Sequence, residues 1–383
     1  MVDALSPFDA PGKLPKTAIK RPKAVEQIPR VYSRYGISVE EFKERIQQQM
    51  PYDMVFITSS MSYWYEGVIE AISIIKNLSP NIPVILGGIY ATLWPNHAQT
   101  HSGADLISIG PIQQNSNKIC EKLSIPKHPL RPKKKWYELG LHDDLSYSAT
   151  RTATGCPFNC TYCGSRQISG PFQPFNPESI FQELAFLHKG GVRQIAFYDD
   201  ALLVNFETRL KVVLDKLEQA GIEFEFHTPN GLHASLITPT VAKYFKRHGF
   251  KTIKLSLETA SAARQKATGG KVTCRALEEA VQYLIAAGID KKDIGIYLLA
   301  GLPDQDAQEV ADSIIFVNSL GVRPYLSEFS PIPATPEWEK LKKQNIITDD
   351  FDPILTNNTI FFRLFSKITE KEWQMLNRLR LNQ

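Results

Sequence analysis

The stretch Gly155-Cys-Pro-Phe-Asn-Cys-Thr-Tyr-Cys-Gly164 places three cysteines, Cys156, Cys160 and Cys163, within eight residues. Their spacing is Cys-x3-Cys-x2-Cys. Three thiolates are one fewer than the four cysteines that ordinarily hold a four-iron cube, so a cluster bound here keeps one iron open to a ligand that is not protein. Gly155, Pro157, Asn159 and Gly164 favour turns over helix or strand, which suits a loop wrapped on one cluster face. A structural zinc site needs a closed set of four ligands, usually from two separated pairs. No second Cys-x2-Cys pair accompanies this one, and Cys120 and Cys274 stand alone in the sequence. Five cysteines in 383 residues do not make a disulfide scaffold either.

Working outward, 383 residues suffice for two domains of about 150 residues each. A hydrophobic content of 43% with 22% charged residues is that of a soluble globular chain. The net charge of +4 is too small and too dispersed to argue for nucleic acid, and the basic run Arg131-Pro-Lys-Lys-Lys135 reads as a solvated linker. No apolar stretch approaches the ~18–20 residues needed to cross a membrane. The N-terminus lacks a basic segment followed by an apolar core, so no secretory signal is expected. Unpaired thiols and an oxygen-sensitive cluster loop point to a reducing cytoplasm.

Before the cysteine loop, strands alternate with helices. Ser38-Val-Glu-Glu41 has the form of a capping box and opens a helix running to about Gln49. Met54–Thr58 follows as a short strand, 66–77 as an amphipathic helix, and Pro83–Gly88 and Ala104–Gly110 as further strands. Such alternation predicts a parallel sheet of Rossmann type, whose ligands sit at the carboxyl ends of the strands. Those ends carry Thr58, Ser59, Ser60, Gly87, Gly88 and Gly110. Residues 123–146, rich in proline and lysine, read as a linker.

After it, strand, loop and helix repeat about six times. Strands are predicted at 147–153, 192–198, 222–228, 251–257, 293–299 and 323–329, with helices at 177–189, 206–219, 238–248, 274–287 and 306–319. The carboxyl ends of barrel strands carry function, and here they hold the cysteine loop, then Tyr198-Asp199-Asp200, His227 to His233 with Asn230, Ser256 and Glu258, and Leu298 to Gly301. Ser256 and Glu258 alternate with Leu255 and Leu257, so the serine and the carboxylate share one strand face. A carboxylate directed into a barrel needs partners. His227, Asn230 and His233 stay open to several readings: substrate contact, proton delivery, ribose binding, a metal, or a polar turn in solvent.

The cysteine loop and the barrel pattern closely resemble the radical S-adenosylmethionine (SAM) superfamily. Thr58-Ser-Ser-Met61, Val84-Ile-Leu-Gly-Gly-Ile-Tyr-Ala-Thr92 and Ala104-Asp-Leu-Ile-Ser-Ile-Gly110 resemble the cobalamin-binding domain that precedes the barrel in one branch of it. The resemblance implies an α/β chain with an N-terminal Rossmann-like parallel sheet and a partial (β/α)6 barrel of TIM type. Its expected parts are a cobalamin-binding-like domain over 1–122 lacking its first strand and helix, the linker 123–146, the barrel over 147–333, and a helical extension over 334–383.

The same resemblance implies a 4Fe-4S cluster on Cys156, Cys160 and Cys163. It implies SAM beside Tyr198, Asp199, Asp200, His227, Asn230, Ser256, Glu258 and Leu299, and cobalamin beside Thr58, Ser59, Ser60, Gly87, Gly88 and Gly110. The Asp-x-His-x-x-Gly cobalt-ligand motif of cobalamin mutases is absent. The function implied is reductive cleavage of SAM to a 5′-deoxyadenosyl radical, serving cobalamin-dependent methylation or rearrangement of a small molecule. An electron donor such as flavodoxin or ferredoxin is the implied partner, with no nucleic acid and no membrane. A cobalamin-independent radical SAM enzyme is the alternative, followed by a non-enzymatic iron–sulfur or zinc protein.

Overall fold

The computed structural model describes residues 14–124 and 146–381. These fall into two compact units, one holding 14–124 with 347–361 and the other 146–346 with 362–381. The expected linker 123–146 and the N-terminal residues before Leu14 lie almost wholly outside the described residues. No helix among the described residues is long and apolar enough to cross a membrane.

In the first unit, Val55–Ser59, Val84–Gly87 and Leu106–Ile107 form a three-stranded parallel sheet in chain order. An antiparallel pair, Lys16–Ala18 with Ser33–Tyr35, lies outside that sheet. Ser38 caps the helix Val39–Gln48 by accepting from the Glu41 amide at 3.0 Å. The reciprocal half of the expected capping box is replaced, because the Glu41 carboxylate turns to Arg45 instead. Two helices the sequence reading missed, Gly88–Leu93 and Pro95–His101, follow the second strand without an intervening loop. Gly88 makes that turn possible. Its φ is +84°, and a Cβ there would lie 2.4 Å from Thr58 Oγ1 and 2.7 Å from the Ser59 carbonyl oxygen.

The expected extension over 334–383 is split. Its segment 347–361 belongs to the N-terminal unit because Asp352 is tied in there: its carboxylate accepts from the Tyr65 hydroxyl at 3.1 Å and caps the Ile354 amide at 2.9 Å. Phe351, Pro353, Ile354 and Thr356 are all buried around it.

The second unit is a six-stranded parallel sheet of Tyr147–Thr150, Gln194–Phe197, Glu225–His233, Phe250–Glu258, Ile294–Ala300 and Arg323–Glu328. Strand order follows chain order, and the first and sixth strands are its edges. Helices Pro177–Lys189, Leu210–Gln219, Pro239–Arg247, Cys274–Ala286 and Ala307–Ser319 connect successive strands. The apolar set of each strand (Ile195 and Phe197, Phe226, Ile253 and Leu255, Ile296 and Leu298) packs with helix residues such as Leu184, Leu214, Phe245, Leu284 and Ile314 in one core. Phe245 stacks on Phe250 with ring centroids 3.9 Å apart.

Two elements depart from expectation for local reasons. The third strand continues through His233, accommodating Pro229 at a register shift between Thr228 and Leu232. The helix expected from 206 begins at Leu210 because Arg209 organises the preceding loop. Its guanidinium donates to the carbonyls of Ala201 (3.2 Å), Leu202 (2.6 Å) and Val204 (2.7 Å).

Candidate active site

The cysteine loop leaves the first barrel strand after a short antiparallel bridge, Ala153–Thr154 with Gln173–Pro174. Gly155 permits this geometry. Its φ is +69°, and a Cβ would lie 2.4 Å from the carbonyl oxygens of both Gly170 and Pro171. All three cysteines are free thiols; Cys156 and Cys160 are half-buried and Cys163 is exposed. Burial pushes the Cys156 and Cys160 thiols up, and the positive charge of Lys271 opposes that in both.

Two distant segments pin the loop. The Thr161 amide donates to the Thr268 carbonyl at 3.2 Å, and Gly269 lies against the Asn159 carbonyl, which a Cβ would approach to 2.9 Å. From the other side, Thr161 Oγ1 donates to Glu337 Oε1 at 2.6 Å, and the Glu337 amide donates to the Thr161 carbonyl at 3.2 Å. Glu337 is buried and paired with Lys340 at 2.8 Å. Nothing in the local sequence around Glu337 announces this role.

Beside the loop lies a polar network. Glu258 is held at φ +71°, a left-handed conformation that costs of order 1–3 kcal/mol and clusters at functional sites. Its carboxyl, pushed up by burial, accepts hydrogen bonds from Tyr162 and Ser256 and lies 4.0 Å from Lys271 Nζ. The Tyr162 hydroxyl also meets the Cys160 sulfur, and burial raises its pKa well above the usual phenol value. Tyr162, inside the quoted loop, is thus a neighbour of these groups that the sequence reading did not select, and Lys271 reaches them from the Gly269-Gly-Lys271 loop after the fourth strand, which by resemblance closes over the site.

The remaining expected residues divide into those that face this region and those spent on structure. Asp200 accepts from Ser165 Oγ at 2.9 Å, and with Pro229, Asn230, Gly231, Tyr297 and Ser327 it lines a cleft of about 500 Å³. Tyr198 is exposed. The Asn230 amide donates to the Asp199 carbonyl at 3.2 Å. The Asp199 side chain is held in the core. Both carboxylate oxygens accept from the Thr152 amide at 3.0 Å, the Thr152 hydroxyl adds a bond of 2.6 Å, and Arg209 pairs with it at 3.3 Å. With its acceptors committed to Thr152 and Arg209, that carboxylate supports the first turn of the site.

His227 Nδ1 meets Thr252 Oγ1 at 3.0 Å on the inner face of the sheet. His233 is buried against the Phe158 ring, centroids 4.2 Å apart, with Nδ1 bonded to Ser235 Oγ at 2.8 Å. Burial, aided by Lys271, pushes its pKa down to about 4, so the imidazole is neutral near pH 7. The Leu299 carbonyl accepts from Gln305 Nε2 at 3.2 Å, while Gln305 Oε1 accepts from the Gly301 amide at 2.8 Å. Gln305 therefore fixes the turn that leaves the fifth strand.

In the N-terminal unit, Thr58 pairs in register with Gly87, and Ser59 bridges Gly88. Ser59 Oγ is committed to the Met61 carbonyl at 2.8 Å, whereas Ser60 is exposed. The Gly110 amide donates to Thr92 Oγ1 at 3.0 Å, which in turn donates to the Gly88 carbonyl at 2.8 Å, and open space surrounds the Gly110 Cα. Ser108 Oγ is buried without a hydrogen-bond partner among the described residues.

Two other groupings have metal-like spacing. His97 and His101 stand in a His-x3-His arrangement, but their rings stack at 4.1 Å and His97 Nδ1 is held by the Tyr90 hydroxyl at 2.7 Å. Asp215, Glu218 and His248 converge on the helical surface of the barrel unit. There Lys211, Tyr244 and Arg247 already satisfy the two carboxylates.

The comparisons with known proteins agree with this geometry. The family model described as the Radical SAM superfamily matches residues 150–314. An uncharacterized methyltransferase of Pyrococcus horikoshii is 23% identical over 367 residues, covering 84% of this chain and 78% of that protein. One from Synechocystis sp. is 22% identical over 338 residues, covering 80% of this chain and 59% of that protein. Among solved structures, the radical SAM methyltransferase TsrM from Kitasatospora setae, with tryptophan substrate and a SAM analog bound, superposes with a TM-score of 0.67 at 14% identity. That match covers 80% of this chain and 68% of TsrM. The cobalamin-dependent SAM radical enzyme OxsB gives a TM-score of 0.57 at 14% identity over 86% of this chain and 50% of OxsB. Residues 150–314 thus carry the match to the radical SAM superfamily, an enzyme family that uses a 4Fe-4S cluster and S-adenosylmethionine.

Proposed function

We propose that this chain is a radical SAM enzyme that methylates or rearranges a small-molecule substrate with the help of cobalamin. The observation that carries the proposal is the donor set: three free thiols on one pinned loop, with Lys271 charge-coupled to two of them and 4.0 Å from Glu258. Cys156, Cys160 and Cys163 hold the cluster, and Lys271 offsets the negative charge that three thiolates bring. Glu258 and Ser256 bind the ribose hydroxyls or ammonium group of SAM, and Tyr162 fixes the Glu258 carboxylate against the loop. Asp200, at the mouth of the 500 Å³ cleft, takes a further polar group of SAM. The backbone of Leu299 to Gly301, shaped by Gln305, receives the adenine. When bound, cluster and SAM together supply the reductive cleavage that yields a 5′-deoxyadenosyl radical.

Cobalamin supplies a methyl carrier when bound, and the first unit has features that suit it. The buried, unpartnered Ser108 hydroxyl, the open space at Gly110, and exposed Met61, Trp64, Ile109 and Ile112 after the strand ends offer polar and apolar contacts to a large flat ligand. A second reading, without cobalamin, is favoured by Gly88, whose lack of a side chain is already accounted for by packing against Thr58 and Ser59. Reduction by a flavodoxin or ferredoxin, and work in the cytoplasm, complete the proposal.

The test is anaerobic reconstitution with iron, sulfide and hydroxocobalamin, followed by SAM and dithionite. Deoxyadenosine release with retained corrin absorbance supports the full proposal. Release without corrin selects the second reading. An iron-free, well-folded protein that leaves SAM intact overturns both.

A further inference from the structure

The inner face of the barrel sheet carries positive charge that nothing among the described residues neutralises. Lys254, Gly295 and Arg323 are register partners on the fourth, fifth and sixth strands. Lys254 Nζ lies over the Tyr325 ring, 3.6 Å from its centroid, and Arg323 Cζ lies 5.2 Å from the same centroid. Gly295 is what lets the lysine cross. A Cβ there would lie 2.6 Å from both Lys254 Nζ and Tyr325 Cε2.

Elsewhere in this unit, buried and part-buried cations are paired, Arg209 with Asp199, Arg264 with Glu309 and Lys271 with Glu258; Lys254 is part-buried like the last two, and Arg323 beside it is exposed. Neither Lys254 nor Arg323 has a described carboxylate partner; what they share is a phenol ring and its hydroxyl. Both hold the Tyr325 hydroxyl below its usual pKa by charge and hydrogen bonding. A half-buried ammonium without an anion is a costly arrangement unless a ligand completes it.

Position ties the patch to the catalytic end. Lys254 lies on the same strand face as Ser256 and Glu258, opposite the core residues Leu255 and Leu257. At about 3.3 Å per residue, four residues put Lys254 about 13 Å below Glu258. Between them, Tyr297 lines the cleft, meets Tyr325 edge-on at 6.0 Å and donates to the Pro229 carbonyl at 2.9 Å. Tyr198 is close enough to act on Tyr297 electrostatically. An aromatic path thus leads from the cleft to the two cations.

Resting on the radical SAM reading of this site, we infer that the substrate is an elongated small molecule whose terminal oxyanion, a carboxylate or a phosphate, is taken by Lys254 and Arg323 beside Tyr325. Its uncharged middle lies along Tyr198 and Tyr297, which leaves the opposite end below Glu258.

The test is calorimetric titration of full-length, anaerobically reconstituted protein with three probes: 3-phenylpropionate, 3-phenylpropyl phosphate and the uncharged 3-phenylpropanamide. At least one acid is expected to bind about tenfold more tightly than the amide, because a hydrogen bond between charged groups is stronger than one to a neutral amide. Which acid binds better identifies the oxyanion. Lys254→Met and Arg323→Gln are each expected to remove most of that preference, and Lys254→Arg to restore it. Amide and acids binding equally, no acid binding at millimolar concentration, or an acid preference that survives both charge-removing variants would overturn the inference. Deoxyadenosine release is read on the wild-type preparation in parallel. Its absence breaks the radical reading, whereas release without any acid preference breaks this inference alone.

Discussion

The two faces of the same six strands are built to opposite rules. The convex face presents Ile195, Phe197, Phe226, Ile253, Leu255, Leu257, Ile296 and Leu298 to the helices, and all are buried in one core. The concave face presents His227, Lys254, Ser256, Glu258, Tyr297, Tyr325 and Ser327, a set of polar groups that a closed barrel would replace with packed aliphatic layers. Alternation along a strand delivers both faces from one sequence. The difference teaches that stability and function in this unit are separable residue by residue, one face holding the fold and the other the chemistry.

The largest expected effect follows from the loop at the head of that concave face. Replacing any one of Cys156, Cys160 or Cys163 by alanine should abolish cluster retention and deoxyadenosine release while leaving the fold intact, because none of the three belongs to the apolar core. Iron analysis and circular dichroism read the two outcomes separately. Retained iron in a single variant would mean that another residue completes the donor set. On the convex side, Phe245→Ala deletes a fully buried ring stacked on Phe250 and should cost ~3–5 kcal/mol by denaturant unfolding. A loss below about 1 kcal/mol would show that this face is not where the stability lies.

How much of this was legible in the sequence follows from the same contrast. The strands and helices of the barrel were readable because one periodicity served the whole convex core, and the helix expected over 177–189 is found there, opened by Pro177 with the Asn176 side chain accepting from the Glu178 amide. The cysteine loop was readable because its chemistry is local. Arg209 and Gln305 were not, since a side chain bonding loop carbonyls or amides four to eight positions away leaves no periodic mark, and Glu337 was not because it meets Thr161, 176 positions away, only in the folded chain. The part played by the Asp199 side chain was hidden in the same way. The second barrel strand ends at Phe197, and in the loop just after it Asp199 turns inward to Thr152 and Arg209 while Tyr198 stays exposed. In the N-terminal unit the glycines marked strand ends correctly, but Gly88 answers to a contact within the sheet, which a sequence cannot distinguish from room for a ligand.

His233 sits where the two faces meet at the strand end, and it makes stability depend on pH. The unfolded imidazole takes up its proton near pH 6.5, whereas the folded one resists until about 4. The folded state is therefore fully favoured above 6.5. As the pH falls from 6.5 to 4 the unfolded chain binds the additional proton and stability drops, by up to ~3 kcal/mol. Denaturant midpoints measured across that window should fall for the wild type and fall less for His233→Gln. Identical pH profiles would place the titration elsewhere.

The smallest effect probes the concave face directly. Tyr297→Phe removes only the hydrogen bond to the Pro229 carbonyl and keeps the ring, so it should cost about 1 kcal/mol of stability. That is a fraction of the loss expected at Phe245, although both rings belong to the same sheet-and-helix unit. The comparison is decisive because Tyr297 also lines the 500 Å³ cleft. If the concave face serves binding, the phenylalanine variant should bind the 3-phenylpropyl probes with an affinity close to that of the wild type, since the stacking surface survives. A stability loss as large as that of Phe245→Ala would instead make Tyr297 part of the structural core, and the division of labour between the two faces would have to be abandoned at this strand.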